Sequence, residues 1–287
     1  MTNPYFSQVA VIGAGTMGNG IAQVFAVRGS KVTLVDSNDA ALARGIGAIE
    51  KSLARMVKKE RMTQADVDAA MARIEGCSAI AKIGTPELVV EAVVERSEVK
   101  ASVFKELDEV TPASTILATN TSSISITEIA ANTKRADKVI GMHFMNPVPI
   151  MKLIEIIRGH ETSDEVTKRI LEASEDLGKV PVEANDYPGF VANRLLMPMI
   201  NEAAYALMEG VATADGIDTV MKLGMAHPMG PLALADLIGL DICLNIMEVL
   251  HDGFGDSKYR ACPLLRRMVA AGQLGRKSGK GFFDYSA

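Results

Sequence analysis

Four histidines offer themselves for acid–base work: His143, His160, His227 and His251. Histidine is the side chain best suited to take a proton from an alcohol near neutral pH. Their settings differ. His160 follows Arg158-Gly159 in a surface-turn pattern, and His251 stands close to Gly253 and Gly255, which reads as loop. His227 is followed by Pro228 between two helix-like stretches. Only His143 closes a strand-like run, Val139-Ile140-Gly141-Met142. Twelve residues on, Glu155 sits inside the apolar run Leu153-Ile154-Glu155-Ile156-Ile157. A carboxylate there either faces water at an edge or is buried with a specific partner. A hairpin-like return would bring it to His143, whereas His160 runs away past the strand end. A buried carboxylate would fix the imidazole tautomer and favour the imidazolium formed when an alcohol is oxidised. The alternative for His143, a hydrogen-bonded core or turn histidine, stays open on pattern alone.

A second constellation says where the hydride of such an alcohol would go. Gln8-Val9-Ala10-Val11-Ile12 leads into Gly13-Ala14-Gly15-Thr16-Met17-Gly18 and then a helical pattern. That is strand, glycine turn and helix start. Gly13 would allow the turn, Gly15 would let backbone approach a pyrophosphate, and Gly18 would let helix and strand pack closely. The helix-start amides would hold the phosphate charge. A second strand, Lys31-Val32-Thr33-Leu34-Val35, ends in Asp36, placed for a ribose 2′-hydroxyl. A carboxylate there repels a 2′-phosphate, and Ser37 rather than an arginine follows, so NAD is expected over NADP. A nicotinamide cofactor leaves the protein to bind, orient and accept a proton.

The remaining pattern supplies elements to carry these groups. The first helix is expected from Thr16 to about Arg28, and a second from Ala40 to about Lys59, with a basic surface toward its end. Thr63 and Asp66 look like a helix start, the helix reaching about Ile74. Glu87 to Val94 is valine-rich and suits a strand covered on both faces, with Glu95 at or just past its end. Lys100 to Val110 reads as helix. Thr115 to Thr119 is a further strand running into Asn120-Thr121-Ser122-Ser123, a set of small polar groups fit for a turn and cap. Ser163 to Leu177 is helical, and Val180 to Glu183 is the last strand. Beyond Tyr187 strand runs stop. Val191 to Glu209, with a kink expected at Pro198, and Ala214 to Leu223, Leu232 to Ile238 and Asp241 to Leu250 read as helices. The expectation is a Rossmann-type, mostly parallel α/β domain over residues 1–185 and an all-helical domain over 186–287. The Met- and Leu-rich helical part is core, with some positions suited to a subunit interface.

Bulk properties narrow the class further. A formal net charge of −5 argues against a nucleic-acid binder. Three scattered cysteines make neither a disulfide framework nor a zinc cluster, and no metal site is expected. There is no targeting pattern and no apolar run long enough for a membrane helix, so cytoplasm is the default expectation and no membrane partner is expected.

The chain resembles the L-3-hydroxyacyl-CoA dehydrogenase family over essentially its whole length. The most specific stretch runs from Gly141 through His143, Asn146 and Pro147 to Glu155. The family usually shows a second Phe where this chain has Met145. Asn120-Thr121-Ser122-Ser123, Pro188-Gly189-Phe190-Val191-Ala192-Asn193-Arg194, the Pro228 to Asp236 segment and the closing Gly275 to Phe282 run also match. The resemblance implies His143 as catalytic base and Glu155 as its carboxylate. It implies Ser122 and Asn193 against the reacting substrate oxygens and Asn146 in the same pocket. Gly13, Gly15, Thr16, Met17, Gly18, Asp36, Glu95, Lys100, Asn120, Ser122, His143 and Asn146 are implied on the NAD side. Ser52 and Lys59 are implied near the coenzyme A nucleotide, which turns the basic helix face from a solvated surface into a contact. The implied reaction interconverts a short-chain (S)-3-hydroxyacyl-CoA, such as 3-hydroxybutyryl-CoA, and its 3-ketoacyl-CoA, in a homodimer joined through the helical domain. The rival readings are oxidation of a non-CoA hydroxy acid such as L-gulonate, or a silent NAD-binding structural protein.

Overall fold

A computed structural model describes residues 3–286. The contacts divide the chain into residues 1–186 and 187–287. The first unit holds an eight-stranded sheet: β1 (Gln8–Ile12), β2 (Lys31–Val35), β3 (Ile74–Cys77), β4 (Leu88–Glu91), β5 (Ile116–Thr119), β6 (Val139–Phe144), β7 (Leu153–Arg158) and β8 (Val180–Asn185). The order across the sheet is β3-β2-β1-β4-β5-β6-β7-β8. The strands from β3 through β6 run parallel, β7 reverses, and β8 follows β7 in parallel. The reversal has a simple cause. Only residues 145–152 separate β6 from β7, too few for the crossover that a parallel return needs.

Helices α1 (Thr16–Arg28), α2 (Asp39–Lys58) and α3 (Gln64–Met71) cover one face of the β3-β2-β1 half, burying Val9, Val11, Val32 and Leu34. Asn38 caps α2 by accepting from the Ala41 amide, and Thr63 with Asp66 forms a reciprocal capping box on α3. α4 (Ser97–Val110), α5 (Ile126–Ala130) and α6 (Asp164–Asp176) complete this unit. Asp186 is held to the sheet unit. Its carboxylate accepts from Ser125 Oγ, Thr127 N and Thr127 Oγ1, and its amide donates to the Arg158 carbonyl.

The second unit consists of α7 (Ala192–Met208), α8 (Ala214–Gly224), α9 (Pro231–Ile238), α10 (Leu240–Phe254) and α11 (Pro263–Ala270). Met197, Ile200, Cys243, Met247, Leu250 and Leu265 form its core. Two buried aspartates stitch it. Asp218 on α8 accepts from the Leu232 and Ala233 amides at the start of α9. Asp236 on α9 accepts from the Phe282 and Phe283 amides and Tyr285 Oη, folding the tail back onto the helices. Desolvation raises the Asp236 pKa, and those donors oppose it.

Several elements differ from the sequence expectation, while the one long helix expected around Pro198 is present as α7. The helix begun at Thr63 stops at Met71, and Ile74–Cys77 pair with β2 as an edge strand, the ladder to β2 outweighing weak local propensity. β4 ends at Glu91, three residues before Val94. α5 and α11 carry no long apolar period and were not anticipated. His251 lies in the last turn of α10, not in a loop, because Gly255 takes the left-handed conformation that ends the helix four residues later.

Candidate active site

The glycine turn is shaped by collisions that any side chain would cause. Gly13 has φ +100°, and a Cβ there would lie 2.6 Å from the Ala92 carbonyl oxygen on the neighbouring strand end. A Cβ on Gly18 would run into the Gly13 carbonyl oxygen. Gly15 differs: a Cβ there meets no protein atom within 4 Å. The fold therefore does not demand glycine at that position, and close approach of a ligand to the backbone is the remaining reason for it. Thr16 and Met17 open α1, whose N-terminus has no side-chain cap. Its first amides suit a pyrophosphate.

Asp36 stands just past β2. Its Oδ2 accepts from the Ala14 amide at 3.0 Å and its Oδ1 from the Asn38 amide at 3.0 Å. The carboxylate is thus aimed by the same turn that would hold the phosphates. Dinucleotides lie across the carboxyl ends of such sheets at the point where strand order reverses, here between β1 and β4.

His143 and Glu155 are directly opposed across the β6–β7 ladder. Nδ1 of His143 lies 2.8 Å from Oε2 of Glu155, and both residues are buried. Facing residues of an antiparallel pair bring their side chains together, so the turn from β6 into β7 creates the pair by register alone. A carboxylate on Nδ1 selects the tautomer that keeps its proton there and leaves the lone pair on Nε2. Asn120, just past β5, accepts from the Phe144 amide at 2.9 Å and so ties that strand end beside His143. Lys179, half-buried, donates from Nζ to the carbonyls of Val148 at 2.6 Å and Met151 at 2.8 Å. It braces the loop that follows Asn146, and desolvation lowers its pKa.

A third cluster fills the ends of β4 and β5. Lys100, fully buried, sits 2.8 Å from Glu91 Oε1 and 3.2 Å from Glu95 Oε2. Glu95 Oε1 accepts from Thr121 Oγ1 at 2.6 Å and the Ser122 amide at 2.7 Å. Glu91 and Thr119, both wholly buried, escaped the reading of the sequence. The signal for Glu91 was the one that exposed Glu155, a lone carboxylate in an apolar strand. Its partners come from separate elements, so nothing local marked them.

Of the remaining expected residues, Asn146 is exposed in the loop after β6, and Ser52 is half-buried on α2. Lys59 is exposed at the C-cap of α2, two helical turns from Ser52 and so on the same side. Asn193 is buried in the first turn of α7, in the helical unit. Among the described residues no group of three or more His, Cys, Asp or Glu side chains could hold a metal ion, and no helix is long and apolar enough to cross a membrane.

Comparison with known proteins meets the same features. The 3-hydroxyacyl-CoA dehydrogenase NAD-binding domain matches residues 8–187, and the C-terminal domain of the same family matches 189–285. A probable 3-hydroxybutyryl-CoA dehydrogenase of Bacillus subtilis is 55% identical over 278 residues, 97% of each chain. The 3-hydroxybutyryl-CoA dehydrogenase of Clostridioides difficile is 50% identical, covering 97% of this chain and 99% of its own. The crystal structure of (S)-3-hydroxybutyryl-CoA dehydrogenase from Ralstonia eutropha superposes with a TM-score of 0.96 at 51% identity, covering 98% of this chain and 100% of that one. Two domain matches in tandem and likeness along nearly the full length leave one assignment: this chain is an NAD-binding member of the 3-hydroxyacyl-CoA dehydrogenase family.

Proposed function

We propose that the chain interconverts (S)-3-hydroxybutyryl-CoA and acetoacetyl-CoA, with His143 as the proton-transferring group. The observation that carries the reading is the buried His143–Glu155 pair at 2.8 Å. In the oxidative direction Nε2 of His143 takes the hydroxyl proton, and Glu155 stabilises the positive charge that then spreads over the ring. NAD, when bound, accepts the hydride from the substrate carbon. Asp36 and the glycine turn hold its adenosine and pyrophosphate part, and the free 2′-hydroxyl suits the Asp36 carboxylate better than a 2′-phosphate would. Glu95, Lys100 and Asn120 order the strand ends beside the nicotinamide half. In the sheet unit Ser122 contacts a reacting oxygen and Asn146 lies beside it on the substrate side; the helical unit contributes Asn193 to substrate binding. Ser52 and Lys59 meet the coenzyme A nucleotide. In the reductive direction His143 returns the proton to the carbonyl oxygen.

The partner of the helical unit is a second copy of the chain. Leu195, Val211, Val220, Leu223 and Met225 are exposed there, large apolar side chains that a partner surface would bury. Light scattering at the mass of a single chain would remove this part. The site of action is the cytoplasm, in keeping with three unpaired cysteines.

The test of the chemistry is His143→Ala. Turnover of acetoacetyl-CoA with NADH is expected to fall on the order of 10²–10⁴-fold, the range for a lost acid–base group, while NADH affinity by fluorescence stays near wild type. Full turnover in the variant would sink the assignment. Wild-type enzyme that reduced no 3-ketoacyl-CoA of any length, but oxidised L-gulonate, would move the substrate outside the thioesters.

A further inference from the structure

The buried pair Glu91–Lys100 takes no proton in the reaction proposed above, yet it is the most deeply buried ion pair described in the chain. Glu91 is the last residue of β4, and its side chain is wholly inaccessible. All its acceptor capacity is used. Oε1 receives the Val93 amide at 2.6 Å and Lys100 Nζ at 2.8 Å. Oε2 receives Thr119 Oγ1 at 2.7 Å and the same ammonium at 3.0 Å. One carboxylate thereby joins the end of β4, the end of β5 and the first turn of α4.

The ammonium passes the constraint outward. Lys100 Nζ also lies 3.2 Å from Glu95 Oε2, and Glu95 is about a third exposed, 37%. The other oxygen of Glu95 gathers Thr121 Oγ1 at 2.6 Å, the Ser122 amide at 2.7 Å and the Ser123 amide at 3.2 Å. A chain of contacts therefore runs from inside the sheet to the loop that carries Ser122: Glu91, Lys100, Glu95, then the amides of residues 122 and 123. It stands at the β1–β4 switch point, since the Ala92 amide donates to the Ile12 carbonyl and Gly13 packs on Ala92. Ligands of open α/β sheets bind at that edge.

Fold stability alone does not call for this arrangement. A buried ion pair gives little net stability over a well-packed apolar pair of the same volume, because desolvation offsets the attraction. What it supplies is one defined place for Lys100, and through Lys100 for Glu95. Without Glu91 the ammonium has a single carboxylate, at the exposed end, and is drawn toward it. Glu95 and the Ser122 loop then lose their fixed support.

We infer that Glu91 is a positioning residue for the dehydrogenase reaction: acting through Lys100 and Glu95, it sets the loop that presents Ser122 to the substrate. This rests on the proposed function, in which Ser122 meets the reacting oxygen.

The experiment compares Glu91→Gln, Lys100→Gln and the double variant in the full-length protein, reading Tm, NADH affinity, and kcat and KM for acetoacetyl-CoA. Lys100→Gln leaves Glu91 buried without a counter-charge, and Glu91→Gln leaves Lys100 with only the partly exposed Glu95, so Tm should fall in both, on the order of 5–10 °C. The double variant removes both charges and should recover most of that loss. kcat is expected to fall about tenfold to a hundredfold in each single variant, the cost of a misplaced contact. It should stay down by about the same factor in the double variant, because the two residues act as a unit. NADH affinity should change less than kcat. If kcat recovers together with Tm in the double variant, the pair is structural only and the inference is overturned. It is overturned equally if Glu91→Gln folds and keeps wild-type kcat. Wild-type protein without activity on acetoacetyl-CoA would instead count against the function, and so the two failures are distinguishable.

Discussion

The two halves of the sheet prepare for a reaction by different means. The β3-β2-β1 half offers backbone. Its glycine turn presents amides, Asp36 is itself aimed by two amides, and no buried side-chain pair is needed. The half from β4 to β7 offers side chains, and each is set by a group on another segment: His143 by Glu155, Lys100 by Glu91 and Glu95, and the Asn120 carboxamide by the Phe144 backbone amide. The difference follows from the task. A pyrophosphate is a diffuse anion that several N–H groups can share. A proton transfer needs one nitrogen at one place, with its tautomer decided beforehand. Backbone geometry suffices for the first. The second takes register, which the antiparallel step from β6 to β7 supplies.

Among changes that leave the base itself in place, substitution at the turn is expected to have the largest effect. In Gly18→Ala the new methyl meets the Gly13 carbonyl, a backbone atom that cannot swing away. The turn must open, at a cost of up to about 3 kcal/mol, which is on the order of a hundredfold in NADH affinity. Calorimetric titration with NADH measures it. Unchanged affinity would mean that the turn yields cheaply and that backbone placement is not what binds the cofactor.

Glu155→Gln sharpens the contrast from the other half. Glutamine keeps the shape and can still meet Nδ1, but it carries no charge to balance the imidazolium. Turnover is expected to fall about tenfold, less than the loss of the base itself, with NADH affinity unchanged. Stopped-flow reduction of acetoacetyl-CoA reads the step directly. A variant whose NADH affinity fell as far as its turnover would show that the two halves are not separable in this way.

The same contrast explains what the sequence discloses. The backbone half is written locally: three glycines at fixed spacing, then a strand ending in an acid, all within residues 8–36. β3 is the exception, because Ile74-Glu75-Gly76-Cys77 has no strand pattern of its own and exists only as the edge partner of β2. In the side-chain half Glu155 stands out as a carboxylate among isoleucines, and its partner is one short hairpin away. Glu91 lies in an equally apolar run, but its partners Lys100 and Thr119 belong to a helix and a strand whose approach depends on the whole sheet. Local spacing carries no trace of that approach. Helix α5 is not legible for a related reason: at five residues it is too short to show a period. Residue 193 was legible only through likeness to the family, since one asparagine in an amphipathic helix has no distinguishing pattern.

The smallest expected effect concerns how the loop after His143 is held, and it is a matter of pH. Lys179 Nζ donates to the Val148 and Met151 carbonyls in a half-buried position, and desolvation lowers its pKa below the ordinary 10.5. In the unfolded chain the amine keeps that ordinary value. Between the lowered value and 10.5 the unfolded chain therefore binds more protons than the folded one, and stability from this group rises with pH across that window. Below it the group is charged in both states, and its folded form carries the full burial cost. Lys179→Met has no such titration. The stability of wild type minus that of the variant, from urea unfolding at steps from pH 8 to 10.5, should climb with pH by a few tenths of a kcal/mol, small because the site is half-open to water. A difference that falls over this range would mean that the two carbonyls hold the ammonium more strongly than burial penalises it. The loop after Asn146 would then be fixed by charge, as the Glu91–Lys100 cluster is, rather than by packing.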